Sequence, residues 1–149
     1  MEIFVDADAC PVKEIIVETA KKYHLNVTMI TDTSHELNDG YSSIVTVDKG
    51  RDSADIKLIN LVHKGDIVVT QDYGVAAMAL GKGAFPMSQN GLNFSDENMD
   101  RLLFERHLGQ KIRRSGGRTT SIKKRTQEDD ENFRNALENS ISVNLNNAL

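Results

Sequence analysis

Asp6 and Asp8 stand two residues apart in "IFVDADACPV" (3–12), at the point where a run of apolar, β-branched residues gives out. Asp8, ahead of Cys10 and Pro11, suits a helix cap. Asp6 lies inside the apolar end of a strand and has no such structural excuse. Further acids follow later runs: Asp48 closes "SSIVTV" (42–47), Asp52 and Asp55 open the next helical pattern, and Asp72 follows "DIVVT" (66–70). Taken singly, Asp52 with Asp55 reads as a capping box and Asp72 as the cap of a short helix. Taken together, Asp6, Asp8, Asp55 and Asp72 read as a cation site. Carboxylates crowded at one edge repel unless a cation lies between them, and oxygen donors without His or Cys favour Mg²⁺ or Mn²⁺. Asp66 begins its strand and so belongs to the opposite edge. Asp39 and Asp48 read as turn residues.

Two other reactive types carry less. Cys10 sits near a helix start, which lowers a thiol's pKa, but the following "PVKEIIV" has neither the arginine nor the glycine of a phosphate loop, so it reads as a small semi-buried residue. His24, His35, His63 and His107 show no ligand spacing. The bases are more telling. Residues 1–106 hold 17 acids against 10 bases, whereas 107–127 hold no acid and seven bases, Lys111, Arg113, Arg114, Arg118, Lys123, Lys124 and Arg125. A net charge of −4 conceals this asymmetry. A solvated loop would explain it. Interleaved Gly, Ser and Thr also suit phosphate contacts, since small residues expose backbone N–H groups beside the cations.

The elements that must position these groups alternate. Strand patterns fall at 2–6, 26–31, 42–47, 66–70 and, shorter and at an edge because Pro86 cannot donate to a ladder, 83–88. Helical spacing falls at 12–23 with Pro11 in the first turn, at 54–63, at 73–80, and from a Ser95 cap to about Leu108. Thr126 with Asp129 predicts a capping box opening a last helix with Phe133, Leu137 and Ile141 as its stripe. This pattern predicts a parallel sheet with helices on both faces, with ligands beyond the carboxyl ends of the strands where the order reverses. If the first and fourth strands are neighbours there, Asp6 and Asp72 converge. At 149 residues the chain is one domain, its core aliphatic because aromatics are 5% and Trp is absent. The lone cysteine excludes an intrachain disulfide, and no stretch has the roughly 20 apolar residues of a membrane span. Without a signal-peptide pattern, a reducing cytoplasm is the expected home.

"DADAC" resembles the first motif of haloacid-dehalogenase-like phosphatases, DxDxT, and "VTMIT" their second. Cys10 replaces the usual Thr or Val, however, and only Asp72 stands at the right edge for the later acids. A closer resemblance, carried by "VDADACPVK" (5–13), "DKGRDSADIKL" (48–58), "GDIVVTQDYGVAA" (65–77) and "RRSGGR" (113–118), is to the YaiI/YqxD family of bacterial proteins, which looks like a branch of the PIN-like superfamily. That resemblance implies a three-layer α/β/α fold with a mainly parallel sheet of four to five strands. It also implies a Mg- or Mn-dependent ribonuclease site on Asp6, Asp55 and Asp72, with Asp8 an additional ligand and Ser53 and Thr70 in support. Arg113, Arg114 and Arg118 would contact the RNA backbone. The expected organisation is a core over 1–108, a basic mobile loop over 109–125, a packed helix over 126–141 and a frayed tail over 142–149. A non-catalytic RNA-binding or ribosome-associated module is the alternative.

Overall fold

The middle strand explains most of the architecture. β1 (Glu2–Asp6) is apolar on both sides, with Ile3, Phe4 and Val5 all buried, so it must be covered above and below. In the computed structural model, which describes residues 1–32, 37–48, 53–116 and 124–147, it is. Among the described residues β1 is joined by β2 (Asn26–Asp32), β3 (Ser43–Val47), β4 (Ile67–Val69) and β5 (Phe85–Met87) in one all-parallel sheet ordered β3-β2-β1-β4-β5. Five helices complete it: α1 (Lys13–Tyr23), α2 (Ser53–Leu61), α3 (Tyr73–Gly81), α4 (Asp96–Arg114) and α5 (Gln127–Asn147). The result is the three-layer α/β/α arrangement.

Strand alternation sorts the core by face. Ile3 and Val5 of β1, Val27 and Met29 of β2, and Ile67 and Val69 of β4 point to one side. There they meet Ile15 and Ile16 of α1 and Phe133, Leu137 and Ile141 of α5. Phe4, Ile30 and Val68 point to the other, against Leu58 of α2 and Val75 and Ala79 of α3. α4 lies outside α3, burying Met99 and Leu102 against Ala76 and Phe94. Its outer surface leaves Phe104, Leu108 and Ile112 exposed. The chain runs outward through β1, β2 and β3, then returns to place β4 on the other side of β1. The order therefore reverses between β1 and β4, and a crevice opens beyond their carboxyl ends.

Three boundaries differ from those the sequence predicts. α1 begins at Lys13, two residues after Pro11, and its N-cap is Val12 with no side-chain cap, so Asp8 does not cap it. Ala9, at φ 55°, makes the left-handed turn that carries the chain from β1 toward α1. α4 does not stop near Leu108 but continues to Arg114, so the first part of the expected mobile loop is helix. Lys111, Arg113 and Arg114 fall in its last turn, where cations suit the helix's negative end. α5 likewise runs to Asn147, because Leu145 extends the Leu137–Ile141 stripe onto the same core, so residues 142–147 are not a frayed tail. Residues 117–123, including Arg118 and Lys123, lie outside the described set. The predicted box at the start of α5 forms: Asp129 N–H donates to Thr126 Oγ1 at 3.2 Å and Thr126 N–H to Asp129 Oδ2 at 2.9 Å. No helix among the described residues is long and apolar enough to cross a membrane.

One cation of the basic segment is structural. Arg125 donates to Asp130 Oδ1 at 2.6 Å, to Asn90 Oδ1 at 2.8 Å and to the Gln89 carbonyl at 2.8 Å, fastening the start of α5 to the turn after β5. Gly91 completes that turn at φ 88°, and a Cβ there would stand 2.8 Å from the Asn132 carbonyl of α5. Gly91→Ala should therefore lose about 2 kcal/mol or more, since it adds a strained φ to a backbone clash. Chemical denaturation is the check, and an unchanged midpoint would refute the close approach.

Candidate active site

Asp6 is the last residue of β1. Strand parity turns it to the same side as Phe4, toward α2 and α3. Thr70 follows β4 with the parity of Val68, so it emerges beside Asp6. Its buried hydroxyl donates to Asp6 Oδ2 at 3.4 Å and accepts from the Asp72 N–H at 3.0 Å. The resemblance implied only a supporting place for Thr70; here it links the two acids. Asp72 is the N-cap of α3, its Oδ1 accepting from Gly74 N–H at 2.7 Å and Val75 N–H at 3.1 Å. Capping occupies one oxygen and leaves the carboxylate at the crevice. The two readings of Asp72, cap and site acid, are compatible.

The electrostatics follow from this crowding. Asp6 is pushed up to about 6, first by burial and next by the negative charge of Asp55 on the first turn of α2. The Thr70 hydrogen bond opposes the rise, while Asp8 and Asp72 add smaller repulsions. Asp6, Asp8, Asp55 and Asp72 thus share one field. Asp8 leans toward β2, accepting from the buried Thr31 hydroxyl at 2.7 Å. Among the described residues no three His, Cys, Asp or Glu side chains stand close enough together to enclose a metal ion. The donor chemistry nevertheless fits a hard divalent cation. Mg²⁺ in particular is held by one or two carboxylates, with water and substrate phosphate completing its shell.

Other expected residues fall elsewhere. Ser53 begins α2, and Asp52 lies outside the described residues. Arg113 and Arg114 are exposed at the end of α4. Asp39 makes a turn, accepting from Tyr41 N–H at 2.8 Å and Ser42 N–H at 2.6 Å. Asp66 is at the opposite edge, accepting from Glu2 N–H at 3.0 Å and His63 N–H at 2.8 Å. Cys10 is buried, and burial pushes its thiol up, away from the reactive thiolate.

Sequence reading missed three residues that line the crevice with Asp6 and Asp72: Gln71, Tyr73 and Arg106. Arg106 holds its guanidinium carbon 5.7 Å from the centre of the Tyr73 ring, which itself meets Phe94 edge-on at 5.7 Å. The signal was present in the periodicity of α4. Met99, Leu102 and Arg106 follow at three and four residues, so the face that buries Met99 and Leu102 against α3 also delivers Arg106.

The family model described as "Uncharacterized BCR, YaiI/YqxD family" matches residues 4–143. A "UPF0178 protein" of Ruminiclostridium cellulolyticum is 72% identical over 92% of this chain and 90% of its own length. Another, of Alkaliphilus oremlandii, is 57% identical over 97% and 94%. Among solved structures, Rae1 (YacP) from Bacillus subtilis (W164L mutant) overlaps 96% of this chain and 99% of its own at 13% identity and a TM-score of 0.39, too distant a likeness to bear on function.

The Asp6 shift has a stability consequence. Unfolded, Asp6 ionises near pH 4; folded, near 6. Between these values the folded chain keeps a proton that the unfolded chain has lost, so the shift costs stability as pH rises through the window, fully above pH 6. In the absence of divalent ions, Asp6→Asn should be more stable than the natural chain by about 1–2 kcal/mol at pH 7.5, allowing for solvent screening. The difference should vanish below pH 4. Denaturant titrations at the two pH values test this; a difference independent of pH would contradict it.

Proposed function

This chain belongs to the YaiI/YqxD family, and we propose that it is a Mg²⁺- or Mn²⁺-dependent phosphodiesterase whose substrate is RNA, built on a PIN-like plan. The observation that supports this reading most is the field around Asp6. A carboxylate pushed up to about 6 by burial and by Asp55, with Asp8 and Asp72 adding to the repulsion, is poised to gain from a cation. A bound divalent ion supplies charge neutralisation at the phosphate and a water of lowered pKa. Asp6, Asp55 and Asp72 are the residues proposed to hold it, with Asp8 in support. Thr70 keeps Asp6 and Asp72 in register through its two hydrogen bonds. The exposed bases at the end of α4, Arg113 and Arg114, extend a positive surface suited to a polyanion. The lone buried Cys10 is consistent with a reducing cytoplasm.

A second reading, an RNA-binding module without catalysis, draws on the lack of a closed three-ligand group among the described residues. Calorimetric titration with Mn²⁺ separates the two. Heat that disappears in Asp6→Asn favours the enzyme, and no heat in the natural chain favours the module.

The cleavage test uses conservative variants. Asn caps a helix about as well as Asp, so Asp72→Asn should preserve α3 while removing a site charge. Asp6→Asn and Asp72→Asn should each lower Mn²⁺-dependent RNA cleavage by about 100-fold or more, with melting temperatures no lower than that of the natural chain. Undiminished cleavage in both variants would end the assignment.

A further inference from the structure

We propose that Arg106 and Gln71 form the phosphate-gripping rim of the crevice and hold the backbone of a single RNA strand beside Asp6 and Asp72. This rests on the reading of the crevice as a phosphodiesterase site and names the residues that would receive its substrate.

The first argument is what Arg106 does not do. It lines the same crevice as Asp6 and Asp72, yet its contact among the described residues is the Tyr73 ring and not a carboxylate. A guanidinium lying against an aromatic ring is held in place while its in-plane N–H donors stay available. Tyr73 itself packs edge-on against Phe94, so the ring that meets the guanidinium is anchored to its neighbour.

Gln71 supplies the second argument. Its Oε1 accepts from the Gln89 N–H at 2.9 Å, which settles which end of the amide is oxygen. The Nε2 end is therefore a pure donor, and it has no acceptor within the described residues. Gln89 is fixed in turn, because Arg125 holds its carbonyl at 2.8 Å. Two sets of uncommitted donors among the described residues thus line the same crevice as two acids. Such a lining suits an anion bridged to the acids by a cation, which is what a phosphodiester with a divalent ion presents.

Size and direction favour a single strand. The crevice encloses about 510 Å³, the scale of a small-molecule pocket and thus of one nucleotide unit. Unpaired nucleotides can be drawn into such a space, whereas paired ones stay sheathed in the helix. Beyond Arg106 the same side of α4 brings up Arg113 about two turns later, continuing a line of positive charge away from the crevice.

The test is anisotropy of a fluorescein-labelled oligouridylate with the full chain, in EDTA and again in Ca²⁺, over a range of salt. Arg106→Ala should weaken binding about tenfold and reduce the slope of log K against log[salt] by about 0.7, the loss of one single-strand phosphate contact. Arg106→Lys should keep the slope while losing part of the affinity. Gln71→Glu, which retains the acceptor for Gln89, should weaken binding through its added charge. Lys21→Ala, on the opposite layer, should leave the slope unchanged. An Arg106→Ala protein with unaltered affinity and slope overturns the proposal, as does a natural chain that binds no oligonucleotide in either medium. A blunt RNA duplex bound as tightly as the single strand also overturns it. Mn²⁺ calorimetry on the same proteins keeps the two ideas apart. Arg106-dependent RNA binding without any Mn²⁺ binding supports the rim and removes the metal enzyme. Mn²⁺ binding without RNA binding does the reverse.

Discussion

The register between β1 and β4 is the constraint on which the site depends. Ile3, Phe4 and Val5 pair with Ile67, Val68 and Val69, so the residues that follow, Asp6 and Thr70, emerge side by side. A slip of one position would turn Asp6 into the layer that holds Phe133, Leu137 and Ile141, where an ion has no relief. Burial of both sheet faces therefore fixes the chemistry indirectly: the apolar pattern that forbids the slip is what holds a carboxylate at the open end. α2 and α3, packed on the same face, bring Asp55 and Asp72 to meet it.

The two ends of this strand pair treat acids in opposite ways. At the amino end Asp66 is buried but fully engaged, its two oxygens taking the amides of Glu2 and His63. That carboxylate closes the sheet. At the carboxyl end Asp6 meets burial and three neighbouring acids, and among the described residues the long Thr70 hydroxyl contact is its hydrogen bond. A chain selected for stability alone would treat both ends like the first. Repulsion among the acids at this edge is what the proposed cation would relieve.

Much of this was legible in residues. The alternation of strand and helix gave the layers and the edge position of β5, and the acids after strands and at the start of α2 gave Asp6, Asp8, Asp55 and Asp72 as neighbours, with Asp66 set aside. What was illegible depended on where chains turn and what helices face. Asp8 looked like a cap because Pro11 looked like a first turn; the left-handed Ala9 delays α1 and sends Asp8 to Thr31 instead. Arg125 was counted among phosphate-seeking bases, and only the fold could show that it is bound to Asp130, Asn90 and Gln89. Arg106 escaped notice because a lone arginine in a polar helix has no motif; its meaning comes from the Met99–Leu102 face and from Tyr73. The helix ends at Arg114 and Asn147 lay beyond Gly109 and an Asn-rich stretch, both weak helix formers overridden by context.

The chain has three tyrosines and no tryptophan, which makes Tyr73 an optical asset. Tyr23 contacts Ser142 of α5 across the opposite layer, and Tyr41 is tied to the Leu25 carbonyl at the far end of the sheet. Of the three, Tyr73 alone borders the crevice, with a cation on its face. Ultraviolet emission from the unlabelled protein is then free of indole, and the part of it that responds to an occupant of the crevice comes from one ring. The molecule carries its own reporter, at the spot where a visitor would be felt.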